Sequence, residues 1–218
     1  VLTGVWVWSG VPPWQALPRV AVDRARIRRL PFARLLGTAR GFAPRDADLT
    51  RWALVAVFPS RSELEAYDRA PVVRGWDAVA AQRARLVLDP RSSRGSWGGR
   101  SPFTVGVRPA RPDSAEAVTG SVLALTRARL RAGHGRRFRR AVPPVGGIAG
   151  LDFAMGIGEW PVGLLGTLTL WSSEGALRSF AWGDPAHLDV VARTGPERWY
   201  REDLYARFAV LQRDGALA

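Results

Sequence analysis

Trp52-Ala53-Leu54-Val55-Ala56-Val57-Phe58 is apolar throughout, and Pro59-Ser60-Arg61-Ser62-Glu63 follows it as a helix start. The pair reads as a buried strand turning into a helix, with Leu64, Tyr67, Val72, Trp76, Val79 and Ala80 at helical spacing. A second copy stands later: Leu164–Trp171 is strand-like, and a helix begins near Ser172–Glu174. When Phe58 is laid on Trp171, Leu64 falls on Leu177 and Tyr67 on Phe180, and Ala70-Pro71 lies one residue out of register with Pro185-Ala186.

Outward from these two runs the same order recurs. Gly4–Ser9 reads as a strand, Trp14–Leu36 as containing an Arg-rich helix, and Arg85–Leu88 as a closing strand. Ser121–Leu130 and Leu151–Gly156 open the second half. Two β-α-β-β-α-β units predict an α+β fold of two fused ferredoxin-like repeats, residues 1–90 and 117–218, with sheets packed face to face as in a dimeric α+β barrel. Residues 91–116 are expected as an interdomain loop, because Asp89–Glu116 holds five Arg, four Pro and four Gly and is too long for an idle connector.

Composition sets limits on chemistry. The 218 residues carry ten Trp and eight Phe, which excludes a disordered chain. Cysteine is absent, so thiolate nucleophiles, disulfides and Cys-ligated metals are excluded, with a lean toward the cytoplasm. All 32 basic residues are arginine, which removes Schiff-base lysine and Walker A chemistry, and the formal charge of +13 attracts anions. Val1–Pro13 lacks the pattern of a signal peptide, and Gly146–Trp171, broken by Asp152, Glu159 and Pro161, does not read as a membrane helix. Exposed strand edges and the tryptophans would suit a homo-oligomer.

Only His134 and His187 are available as imidazoles. His134 lies in Arg127–Arg140 among seven arginines and is expected to be solvated; that block has no nucleic-acid motif beside its charge, so no specific nucleic-acid partner is expected. His187 follows Trp182-Gly183-Asp184-Pro185 and precedes Val190 and Val191, at the start of a helical segment. It reads either as a packed or capping residue or as an axial ligand to haem iron.

Four further runs bear on this choice: Phe32–Phe42, Trp52–Phe58, Ser92–Phe103 and Leu123–Ala128. With Met155–Glu159, Leu168–Trp171, Gly183-Asp184-Pro185-Ala186-His187 and Trp199–Phe208 in that order, the chain resembles the spheroidene monooxygenase family of carotenoid biosynthesis from about residue 30 onward. The resemblance implies an oxidoreductase that introduces a keto group into an acyclic carotenoid with haem b as cofactor, and it carries the metal-ligand role to His187. Its position would be fixed by the interdomain loop, with Arg94 or Arg100 pairing with a propionate and Trp97 or Phe103 lining the ring. The expected partners are an apolar small-molecule substrate and an electron donor, with room for peripheral membrane contact. A haem-dependent dehydratase, a cofactor-independent monooxygenase of the same fold, and a non-catalytic haem- or lipid-binding module are the competing readings.

Overall fold

Period-two alternation of apolar residues organises the sheet. In the computed structural model, which describes residues 1–41, 44–103, 120–135, 138, 147–159 and 164–217, eight strands form one closed antiparallel barrel. They are β1 (Leu2–Ser9), β2 (Phe32–Ala39), β3 (Ala47–Phe58), β4 (Gln82–Gly95), β5 (Val122–Leu130), β6 (Leu151–Gly158), β7 (Leu164–Trp171) and β8 (Tyr200–Asp214). Around the barrel the order is β1-β3-β2-β6-β7-β5-β8-β4. Five helices are described: α1 (Pro13–Arg26), α2 (Arg61–Tyr67), α3 (Pro71–Asp77), α4 (Glu174–Gly183) and α5 (Pro185–Glu197).

The halves meet edge to edge and not only face to face. β2 bonds to β6 and β4 to β8, the latter from Arg85–Asp214 to Gly95–Leu204, so hydrogen bonding runs continuously across both seams. Among the described residues the barrel closes, with the β2–β6 seam made only by Gly37–Ala39 and Gly156–Gly158. Seven of the ten tryptophans are buried, and only Trp14 and Trp182 are strongly exposed among those described.

One expectation is sharpened and another changes. The helix from Trp14 ends at Arg26, a short turn covers Ile27–Arg29, and β2 begins at Phe32. Pro31 disfavours helix at Leu30, and Phe32 and Leu36 point into the barrel at strand spacing. β4 continues to Gly95, five residues into the stretch expected as loop, because Ser92–Gly95 pair with Leu204–Arg207 of β8.

Inward side chains fill the barrel: Val5, Val7, Val55, Leu86, Leu125, Met155, Leu170 and Phe208 are all buried there. Outside the first half, α1 to α3 cover a second core built on Trp6, Trp8, Trp52, Leu54, Phe58 and Trp76. Trp8 stacks on Trp76 with centroids 5.5 Å apart. Each indole N–H there is satisfied, Trp6 donating to Asp68 (2.9 Å), Trp8 to Asp77 (2.7 Å) and Trp76 to Asp23 (3.1 Å). Burying these large rings without orphaned donors makes this half rigid.

Candidate functional site

The outer face of the second half is built differently. Leu123 and Leu125, Met155 and Ile157, and Leu168 and Leu170 point into the barrel, so alternation turns Ala124, Thr126, Ala154, Gly156, Thr167 and Thr169 outward. These are small residues, and all but Thr169 are half-buried. On the helices that follow β7, Leu177 is the buried residue of α4, and α5 has none among the described residues. Where the first half places a tryptophan core, the second pairs small side chains with helices whose apolar residues Leu188 and Val191 remain uncovered. This face is the candidate ligand site.

His187 stands at one side of this face. Ser173 caps α4 by accepting from Ala176 N, and Asp184 ends it and caps α5, its Oδ1 accepting from the His187 backbone N–H at 2.7 Å. Pro185 at the first position of α5 fixes the elbow. The His187 ring lies 4.7 Å from that of Phe180, which lies 5.1 Å from Trp171 on β7. Burial lowers the imidazole's pKa, with Asp184 opposing, so the neutral form that can ligate iron is favoured. The capping role belongs to Asp184 and the His187 backbone, which leaves the ring nitrogens for other use.

His134 is half-buried instead of solvated, with a shielded Nδ1 that finds no partner among the described residues. No three His, Asp or Glu side chains converge as a metal-ligand cluster among the described residues.

The four loop residues separate. Arg94 pairs with Tyr205 in the β4–β8 register and lies 5.1 Å above that ring. Leu204 and Ala206 point inward, so Tyr205 and Arg94 share the outer face with Thr126, the register partner of Tyr205 on β5. Trp97 and Phe103 are instead deep in the barrel, with Trp97 5.4 Å from Phe32 and Phe103 4.9 Å from Phe208. Arg100 is exposed and donates to Pro31 O at 3.2 Å. Only Arg94 of the four is therefore on the face that carries the small residues; packing inside the barrel has claimed Trp97 and Phe103.

Charged groups that the sequence did not single out together close one end of the barrel. Arg34 Nε lies 2.6 Å from Glu159 Oε1, which also accepts from the Trp97 indole at 2.7 Å. Arg127 Nη1 donates to Glu202 Oε2, and Nη2 lies 3.8 Å from Glu159. Glu202 further accepts from Ser96 Oγ (2.9 Å) and Gly99 N (2.7 Å). Glu159 is thus occupied by arginines and an indole.

Burial alone would raise the Glu202 carboxyl, but the bonds from Gly99, Arg127 and Ser96 outweigh it and hold the pKa at about 2 against an ordinary 4.5. A depressed folded pKa contributes stability above pH 4.5 and loses it as pH falls toward about 2. Unfolding free energies from urea curves across this window should fall more steeply with acid for the wild type than for Glu202→Gln. Parallel curves would remove Glu202 as the source.

No protein-family model matches the chain. Among curated proteins it is 34% identical over 195 residues to a spheroidene monooxygenase of Rhodobacter capsulatus, covering 86% of this chain and 78% of that one. It is 29% identical over 184 residues to the spheroidene monooxygenase of Cereibacter sphaeroides, where it spans about half of the relative, 53%, and 80% of itself. Among solved structures, two aldoxime dehydratases share the fold, one of them in complex with butyraldoxime. Their TM-scores are 0.54 and 0.55, at 11% and 10% identity, with 97% and 96% of this chain and 79% and 81% of theirs covered. Identity, coverage and the ordered motifs together make this chain a member of the spheroidene monooxygenase family.

Proposed function

We propose that the protein is a haem-dependent monooxygenase acting on a largely apolar organic molecule, in which residues of α4–α5 and the outer face of β5–β7 would hold haem b and His187 would ligate its iron. The observation that carries the reading is a half-buried imidazole, favoured in its neutral form, beside a sheet face of small side chains where a packed core would otherwise stand. The relatives' name, spheroidene monooxygenase, supplies the reaction class and suggests a substrate of acyclic carotenoid type.

When bound, haem supplies activation of oxygen. The chain's residues hold and enclose it. His187 would hold the group from the helix side, with Phe180 packed against the imidazole and Trp171 behind Phe180. Arg94 places a cation on the outer face, suited to a propionate, while Trp97, Phe103 and Arg100 keep their barrel and loop contacts. Ala124, Thr126, Ala154 and Thr167 leave space for ring and substrate. A monooxygenase sends one atom of dioxygen to water, so an external donor must supply two electrons.

The division into 1–90, 91–116 and 117–218, with each outer part a ferredoxin-like repeat, belongs to the same proposal. Its support is the strand order, β4-β1-β3-β2 in one half and β8-β5-β7-β6 in the other.

Titrating the wild-type protein with haemin should give a Soret band that saturates at about one haem per chain. Thr126→Trp places an indole on this half-buried outer face and should weaken uptake at least ~tenfold, with far-ultraviolet circular dichroism checking that the fold is kept. Absence of any Soret band in the wild type would sink the haem reading and move cofactor-independent oxygenation ahead. Uptake by Thr126→Trp equal to the wild type would put the haem elsewhere.

A further inference from the structure

One polar group on the outer face has a hydroxyl without a side-chain partner among the described residues. Tyr205 is half-buried on β8, its neighbours Leu204 and Ala206 point into the barrel, and its register partners are Arg94 on one side and Thr126 on the other. Thr126 is in turn the partner of Thr167, so one row across the sheet reads Arg94, Tyr205, Thr126, Thr167. The Arg94 guanidinium lies over the Tyr205 ring at 5.1 Å, a cation–π contact that holds the phenol in place while leaving its hydroxyl uncommitted.

Hydrogen bonding sets Tyr205 apart from the other polar groups nearby. The Thr169 hydroxyl donates to Ala124 O at 3.3 Å and accepts from the Trp171 indole at 2.9 Å, so it is spent. The Tyr205 hydroxyl makes no side-chain bond among the described residues. Thr126 and Thr167 are short and stay close to the sheet, whereas a phenol carries its O–H well above it. Burial, with Asp203 adding to it and Arg94 opposing, raises the phenol's pKa, so it remains a donor at neutral pH. A hydroxyl with no side-chain partner among the described residues is open to a bond from a ligand or water.

We propose that Tyr205 is a specificity-determining residue whose hydroxyl donates a hydrogen bond to an acceptor oxygen, carbonyl or ether, on an otherwise apolar ligand lying on this face, with Arg94 positioning the ring. The proposal rests on the reading of the face as the substrate site and deepens it by naming the group that selects an oxygenated ligand over a bare hydrocarbon. In an apolar pocket one such donor sets orientation, because every other wall offers only surface contact.

The test compares geranylacetone with the hydrocarbon of the same carbon skeleton, each titrated into the wild-type, Tyr205→Phe and Thr126→Val proteins and followed by tryptophan fluorescence and calorimetry. The wild type should bind the ketone about tenfold more tightly than the hydrocarbon, the size of one well-made hydrogen bond in an apolar site. Tyr205→Phe should lose that preference, leave hydrocarbon affinity unchanged and melt at the wild-type temperature, since the hydroxyl supports no fold contact. Thr126→Val should keep the preference. Retention of the ketone preference by Tyr205→Phe, or its loss in Thr126→Val alone, overturns the proposal while hydrocarbon binding leaves the apolar site standing. Binding of neither compound to the wild type overturns the site reading itself, and the Tyr205 assignment with it.

Discussion

Arg127→Leu should unfold at much lower urea than the wild type, with a loss of about 3 kcal/mol. Arg127 is 5% exposed, and its guanidinium reaches Glu202 and Glu159 from inside the barrel while standing 5.7 Å over the Trp97 ring. Removing it strips Glu202 of its ion-pair partner and leaves a largely buried carboxylate on Ser96 and Gly99 alone. Glu159 keeps Arg34 and the Trp97 indole, so the damage centres on Glu202. The double variant Arg127→Leu/Glu202→Leu should regain most of the loss, because replacing both members of a buried pair by apolar groups is often neutral. Urea curves with equal slopes and shifted midpoints would measure this. If the double variant is no more stable than the single one, the loss comes from packing around Trp97 and not from the stranded charge.

The second large effect is expected at His187. His187→Ala should abolish the Soret band of the haem-loaded protein or shift it to that of a weakly held, exchangeable pigment, while far-ultraviolet circular dichroism stays unchanged. The fold should survive because the cap of α5 is made by the Asp184 carboxylate and the backbone N–H of residue 187, which alanine retains. His134→Ala should keep the wild-type spectrum. Adding imidazole to His187→Ala should restore a ligated spectrum, since the cavity left behind fits the missing ring. If both histidine variants keep the native spectrum, His187 is not the ligand and its half-burial against Phe180 is packing alone.

These expectations draw unequally on the sequence and the structure. The Trp52–Phe58 run followed by its helix start, and the matching Leu164–Trp171 run, were readable because apolar periodicity and a Ser cap are local signals. Closure of the barrel was not, since the pairings of β4 with β8 and of β2 with β6 join residues far apart in sequence. Arg127 illustrates the limit. Within Arg127–Arg140 it reads as one more solvated arginine, yet it continues the inward alternation of Leu123 and Leu125, and only the arrival of Glu202 and Glu159 from other strands makes burial tolerable. Trp97 and Phe103 went to the barrel interior for a related reason: a large ring in a Gly-rich segment is equally suited to a cofactor or a core. His187 and Tyr205 were both within motifs that the family resemblance picked out, but alternation about Leu204 and Ala206 is what turns Tyr205 toward the candidate site.

The place of β8 in the barrel governs when the molecule can become itself. This strand follows every other one in the chain, yet it lies between β5 and β4 and carries the ion pair from Asp214 to Arg85 at 3.2 Å. During synthesis the first half can assemble its tryptophan core early, but the cylinder stays open until residues near 214 have emerged. The exposed flank of β4 is then the hazard, a long unpaired strand waiting for its neighbour. Closure pairs residues more than a hundred positions apart, a slow step with a large entropic cost. Pulse-labelled refolding should therefore protect amides of β1 and β3 before those shared by β4 and β8, and chains interrupted before Tyr200 should aggregate through β4 instead of accumulating as a stable half-molecule.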